Sequence, residues 1–139
     1  MKATFLALTT VLATIIAMPL GCGAQHLVMA PSNVIPAAQI KLDLGKDANG
    51  NTTVDLKAQH LAQPANLNPP KSVYVVWVQS DDQTPERKGQ LTVNKDLNGE
   101  LKFVTPDQHF QLFITAEDNA NTVSPAGTEV IRGSVARGR

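Results

Sequence analysis

The chain's three histidines and several clustered carboxylates are the side chains that could support catalysis or bind a metal. His26, His60 and His109 are imidazoles of the kind that bind zinc or other transition metals. They are far apart along the chain and no short ligand spacing links them. We therefore expect them at the surface or at strand ends, and we predict no metal residues.

A second candidate is the segment Asp47–Asn51 together with Asp55, whose oxygen-bearing side chains lie at alternate positions as in a calcium loop. Thr52 stands where such a loop needs glycine. Asn-Gly within the segment is the preferred pair for a tight β-hairpin, because both central residues need positive φ. The segment is interpreted as a turn, and so is Asp96–Glu100.

The loop Ser80–Lys88 concentrates several carboxylates. Paired carboxylates perform acid–base chemistry when burial separates their pKa values, but a polar loop favours a solvated surface. We predict no catalytic or cofactor-binding residues and a protein that is not an enzyme. Since loops often carry binding functions, this loop and Asp118–Gly127 are expected to form a binding edge. Its predicted residues are Asp81, Asp82, Glu86, Arg87, Asn119 and Asn121.

The chain's single cysteine, Cys22, directly follows an apolar segment. Met1-Lys2 is a short basic start, and the run Ala3–Leu20 carries no charge. This pattern predicts a cleaved secretory signal over residues 1–21. An uncleaved anchor is the alternative, because an apolar run of about 18 residues is near the lower limit for spanning a bilayer.

The segment around Cys22 resembles the signal of bacterial lipoproteins, in which a small residue such as Gly21 precedes the cysteine. The resemblance implies that Cys22 is acylated, becomes the mature N-terminus and holds the chain to a membrane of the cell envelope. The competing cleavage follows Ala24 and would give a secreted or soluble periplasmic protein.

Composition limits the mature chain to one domain. Roughly 115 residues suffice for a modest core. The formal net charge of the chain is +0, so there is no basic field for nucleic acid. A lone cysteine forms no internal disulfide.

Residues 22–36 are Pro-containing and are interpreted as a flexible tether before a domain over residues 37–139. Within that domain the alternation of apolar and polar residues predicts a hairpin of Ala38–Leu44 with Thr52–Leu61. A second hairpin is predicted from Gly89–Asn94 and Glu100–Val104.

Ser72–Gln79 is apolar on both faces and is predicted, with His109–Glu117, to lie at the centre of a sheet. Val130–Val135 supplies a last strand, and Trp77 is expected to be the largest core side chain. About seven short strands separated by turns predict an all-β, antiparallel, immunoglobulin-like β-sandwich.

The second half of the chain resembles the extracytoplasmic C-terminal domain of anti-sigma-K factors. The matching residues are Tyr74-Val75-Val76-Trp77, Gly89, Phe113-Ile114-Thr115-Ala116-Glu117, Ser124-Pro125-Ala126-Gly127 and Val130-Ile131-Arg132-Gly133. The resemblance covers about Ser72 to Val135 and implies a sensor-type domain. Members of that family also carry a cytoplasmic helical domain and a transmembrane helix, which we do not expect here.

These observations predict a non-enzymatic lipoprotein of the bacterial cell envelope, with a protein-binding or structural β-sandwich. The expected partners are the membrane, through Cys22, and an envelope protein. The alternative is an accessory or sensor domain in anti-sigma-type envelope signalling.

Overall fold

The computed structural model describes residues 24–138, so the predicted signal segment and Cys22 lie outside the described residues. The described chain forms eight β-strands and one short 3-10 helix, Pro64–Asn66. The strands are β1 (Gln25–Met29), β2 (Gln39–Lys46), β3 (Thr52–Gln59), β4 (Val73–Gln79), β5 (Glu86–Leu91), β6 (Gly99–Thr105), β7 (His109–Glu117) and β8 (Thr128–Ala136).

The strands form two four-stranded sheets that pack as a sandwich. Sheet A has the order β1-β2-β3-β6 and sheet B the order β5-β4-β7-β8. Every pairing is antiparallel. The all-β antiparallel sandwich predicted from the sequence is confirmed, and β4 and β7 occupy the central positions of sheet B as predicted. The immunoglobulin-like connectivity stays a prediction.

β1 lies inside the segment that the sequence predicted as a tether, residues 22–36. It pairs with β2 from Gln25 opposite Leu44 to Met29 opposite Ile40. Met29 is buried, and Leu27 packs against the core from the same side of the strand. Burial of these two side chains favours pairing over a free chain, so the fold begins at β1 rather than at residue 37.

The main hydrophobic core lies between the two sheets. Alternate residues of β2 and β3 point into it, which explains the period of two in their sequences. Each buried aliphatic side chain stabilises the fold by roughly 1.5–3 kcal/mol relative to exposure. The fully buried members with the largest side chains are Tyr74, Ile40, Leu42, Leu56, Leu61, Leu91, Leu112 and Ile114.

A second, smaller cluster lies on the outer face of sheet B. It consists of Val75, Trp77 and Phe113, with Val73 packed against it. Trp77 is the largest fully buried side chain, as predicted, but it belongs to this cluster and not to the core between the sheets. β4 is therefore apolar on both faces because each face is buried against a different set of side chains.

β5 and β6 were predicted to pair as a hairpin, but they lie in opposite sheets. The turn between them is closed by the Asn94 side chain, whose Oδ1 accepts hydrogen bonds from the backbone N–H groups of Asp96 and Asn98. Leu97 adopts the left-handed conformation, with φ 60°. Leu91, the last residue of β5, is 1% exposed, and the chain crosses from sheet B to sheet A over residues 92–98.

Strand directions define two ends of the sandwich. The "Gln25 end" is where β1 begins, and the "Asn121 end" is opposite it. The connections at the Gln25 end are residues 47–51, 80–85, 106–108 and 137–138. The connections at the Asn121 end are residues 30–38, 60–72, 92–98 and 118–127.

Candidate functional site

The six predicted binding residues lie at both ends of the sandwich and do not form one edge. Asp81 and Asp82 belong to the β4–β5 connection, at the Gln25 end, and Glu86 and Arg87 open β5 beside it. Asn119 and Asn121 belong to the β7–β8 connection, at the Asn121 end. The length of β4 separates the two groups by roughly 25 Å.

A cleft of about 720 Å³ lies at the Gln25 end, between the β4–β5 connection and the paired ends of β7 and β8. Asp81 and Asp82 line one side and His109 lines the other. Gln111 and Ser134, also in the lining, are joined by a side-chain hydrogen bond of 2.7 Å. The cleft therefore offers polar groups at an accessible surface, which suits a hydrated polar contact.

The exposed face of sheet A carries a band of alternating charges, which we call the charged face. Its residues come from all four strands of the sheet: His26, Asp43, Asp55, Lys57, Glu100 and Lys102. The alternation of apolar and polar residues in each strand shows that these positions face solvent. It does not show that Asp43 lies directly opposite Asp55, because that depends on the register between strands. Sequence reasoning missed this cluster for that reason.

Lys57 is the central cation of the charged face. Its ammonium lies 3.1 Å from Asp43 Oδ2 and 3.3 Å from Asp55 Oδ2, so one cation offsets two facing carboxylates. Hydrogen bonds from His26, at 2.5 Å, and from Lys57 lower the pKa of Asp43. The bond to Asp43 in turn raises the pKa of Lys57. These pairs tie β1, β2 and β3 together.

The histidines are not brought together by the fold. His26 contacts Asp43 on the charged face, while His60 follows β3 with φ 53°. His109 begins β7 at the Gln25 end. Within residues 24–138 no three histidine, cysteine or carboxylate side chains lie close enough to share a metal ion.

The calcium-like segment forms the β2–β3 turn. Asp47 Oδ1 accepts hydrogen bonds from the backbone N–H groups of Asn49 and Asn51, and its Oδ2 accepts one from Asn51 Nδ2. The side-chain bond from Asn51 is the main cause of the lowered pKa of Asp47. Gly50 adopts φ 85°. The interpretation of this segment as a turn is confirmed, since the carboxylate closes the turn itself.

A buried hydrogen-bond chain links the two central strands of sheet B to the β7–β8 connection. Trp77 Nε1 donates to Thr115 Oγ1 at 2.8 Å, and Thr115 Oγ1 donates to Glu117 Oε1 at 2.5 Å. The backbone N–H of Ala126 donates to the same Glu117 oxygen. Glu117 is 3% exposed, so these bonds replace water around a buried carboxyl group.

Aromatic contacts extend the same region. The Trp77 and Phe113 rings are stacked with centroids 6.4 Å apart. The Arg132 guanidinium lies 4.0 Å from the Phe113 ring centroid and pairs with Glu129. Phe113 thus contacts Trp77 of β4 and Arg132 of β8, so three strands of sheet B meet in this region.

Comparison of the chain with protein-family models, curated proteins and solved structures finds no match. Among the residues that the structure describes, no helix has the length and apolar character needed to cross a membrane.

Proposed function

We propose that this chain is a non-enzymatic lipoprotein of the bacterial cell envelope whose β-sandwich binds a protein partner. The observation that carries the proposal is an apolar export-type segment ending at Cys22, with the first strand of the sandwich beginning at Gln25. Cleavage before Cys22 leaves all eight strands intact, and so does the competing cleavage after Ala24.

Two sets of polar interactions support a binding role, because they hold strands and a loop in fixed positions. Asp43 pairs with His26 and Lys57 across strands, and the buried Glu117 carboxyl group holds the β7–β8 connection to the sheet. These interactions stabilise a scaffold that presents loops at both ends, and loops on a rigid scaffold are a common means of recognition. The balanced charge of the chain favours a protein partner over nucleic acid.

The second candidate is an accessory or sensor domain in anti-sigma-type envelope signalling. The observation in its favour is that Trp77, Phe113, Thr115 and Glu117, from the resembling segments, contact one another in one region. Related domains are expected to share local structure, so contacts among the resembling residues favour this candidate.

The anchor is tested with the full-length chain expressed in bacteria. Intact-mass analysis of the product should show loss of residues 1–21 and addition of a lipid at Cys22, and the protein should fractionate with membranes. Cys22→Ser is the matched control and should lose both the lipid and the membrane association. A soluble product that begins at Gln25 would contradict the lipoprotein proposal.

The partner is tested by crosslinking in intact cells, followed by mass spectrometry of the captured proteins. One dominant envelope protein, absent from the Cys22→Ser control, is the expected result. Capture of a regulator of a sigma factor would favour the second candidate. If Cys22→Ser captures the same proteins, the expectation that partner binding depends on the lipid anchor would be contradicted.

A further inference from the structure

We infer that the Gln25 end of the sandwich lies against the bilayer surface and that the Asn121 end faces away from it. The inference rests on the proposed lipid anchor at Cys22. It assigns the two groups of predicted loop residues to different surroundings: Asp81 and Asp82 beside the lipid headgroups, and Asn119 and Asn121 away from them.

The first argument is the length of chain between the anchor and the fold. Two residues, Gly23 and Ala24, lie between Cys22 and Gln25, the first residue of β1, so the link comprises three residue-to-residue steps. Since an extended chain spans at most ~3.6 Å per residue, the link reaches no more than about 11 Å. A tether of residues 22–36 would have left the domain free to tumble, but β1 removes most of that length.

The second argument is that the start of β1 is held to the body of the sandwich. Gln25 Nε2 donates to the carbonyl oxygen of Ala136 at 2.9 Å, and the backbone N–H of Gly138 donates to Gln25 Oε1 at 2.8 Å. His26 is tied to Asp43 in β2. The short link is thus attached to a fixed point on the Gln25 end.

Strand length then sets the distance of the opposite end. β4 and β7, the central strands of sheet B, run between the two ends and have seven and nine residues. At about 3.3 Å per residue this places the Asn121 end roughly 25 Å farther from the bilayer than the Gln25 end. The connections farthest from the bilayer are then residues 30–38, 60–72, 92–98 and 118–127.

The charged residues at the Gln25 end indicate that the short link, and not electrostatic attraction to lipid, holds this end at the bilayer. Asp81, Asp82 and Asp107 lie in the connections at the Gln25 end. Arg137, at the same end, donates hydrogen bonds to Thr52 Oγ1 and to the carbonyl oxygen of Gly50. Carboxylates gain nothing from anionic headgroups, so the position of this end at the bilayer follows from the short link.

The test uses matched cysteine substitutions in the full-length chain, Asn49→Cys at the Gln25 end and Asn121→Cys at the Asn121 end. Both asparagines are exposed. Open membrane fragments from expressing cells are treated with a polymer-bearing maleimide, and the labelling rates are compared before and after detergent solubilisation. Because the gap at the Gln25 end is at most about 11 Å, the bulky reagent should label residue 49 about tenfold more slowly than residue 121 in membranes, and equally in detergent.

A third variant isolates the short link. Insertion of about 15 Gly and Ser residues between Gly23 and Ala24 adds a flexible spacer of roughly 20 Å and should make the two membrane rates equal. Equal rates without the insertion, in a protein that stays membrane-bound, would overturn the inference while leaving the anchor in place. A soluble protein, whether it begins at Gln25 or retains an unmodified Cys22, would overturn the anchor and the inference together.

Discussion

Replacement of Trp77 by alanine is expected to be among the most destabilising single changes in this domain. Trp77 is 0% exposed and stacks on Phe113 in the outer cluster of sheet B. Removal of a buried tryptophan side chain costs about 3–5 kcal/mol, because the cavity collapses only in part. A domain of this size has a total stability of roughly 5–15 kcal/mol, so Trp77→Ala should remove a large share of it.

The free energy of unfolding is to be measured by urea titration followed by far-ultraviolet circular dichroism. Fluorescence is unsuitable, since Trp77 is the chain's only tryptophan. Val104→Ala is the control, because Val104 is 47% exposed, and it should cost less than about 1 kcal/mol. Trp77→Phe keeps an aromatic ring in the cluster and should lie between the two. A Trp77→Ala cost no larger than that of Val104→Ala would refute the packing of the outer cluster.

Three further predictions concern a tight contact and two titrating groups. Gly127→Ala would place a Cβ atom 1.9 Å from a backbone oxygen of β7 and should lower the free energy of unfolding by about 2 kcal/mol or more. Gly138→Ala is the control, because its Cβ atom would meet its nearest contact at 3.6 Å. It should leave the urea titration unchanged. The hydrogen bond from His26 lowers the pKa of Asp43. Ionised Asp43 therefore stabilises the fold above about pH 4, and this contribution is lost as the pH falls through the pKa of Asp43 in the folded state. The difference in urea midpoint between wild type and Asp43→Asn should therefore vanish in strong acid, and a difference that persists there would contradict the assignment. Burial raises the pKa of Tyr74 to about 12; ultraviolet absorbance of the native chain should report phenol ionisation near that value, and ionisation near pH 10, as in urea, would show that the phenol is exposed.

Local sequence patterns were sufficient to predict the fold class and several strands. Alternation in β2 and β3 reflects one buried and one wet face, and Asn49-Gly50 marks the turn between them. The apolar character of both faces of β4 correctly placed it at the centre of its sheet.

Features that depend on the pairing of distant segments were not predictable in the same way. β1 is short, and the register that buries Met29 and partly buries Leu27 becomes apparent only when β2 is beside it. β5 and β6 have the local pattern of a hairpin, but the burial of Leu91 and the turn at Asn94 direct them into different sheets.

The candidate surfaces show the same limit. The carboxylates of the β4–β5 connection and the carboxamides of the β7–β8 connection were identified as exposed polar groups, and they are exposed. Their assignment to opposite ends follows from the direction of β4 and β7, which the residue types alone do not encode. The charged face likewise requires the cross-strand register of Asp43 and Asp55.

The attachment of Gln25 to both Ala136 and Gly138 has a mechanical consequence. A force that pulls on the chain ahead of Gln25 acts along the axis of β1 and would slide this strand past β2. The backbone hydrogen bonds of the pair would then be loaded together, in shear, instead of opening one after another. The Gln25 bonds and the His26–Asp43 pair lie at the point where the load enters. Under tension, β1 is expected to behave as a clamp that keeps the sandwich folded while the chain ahead of it is pulled.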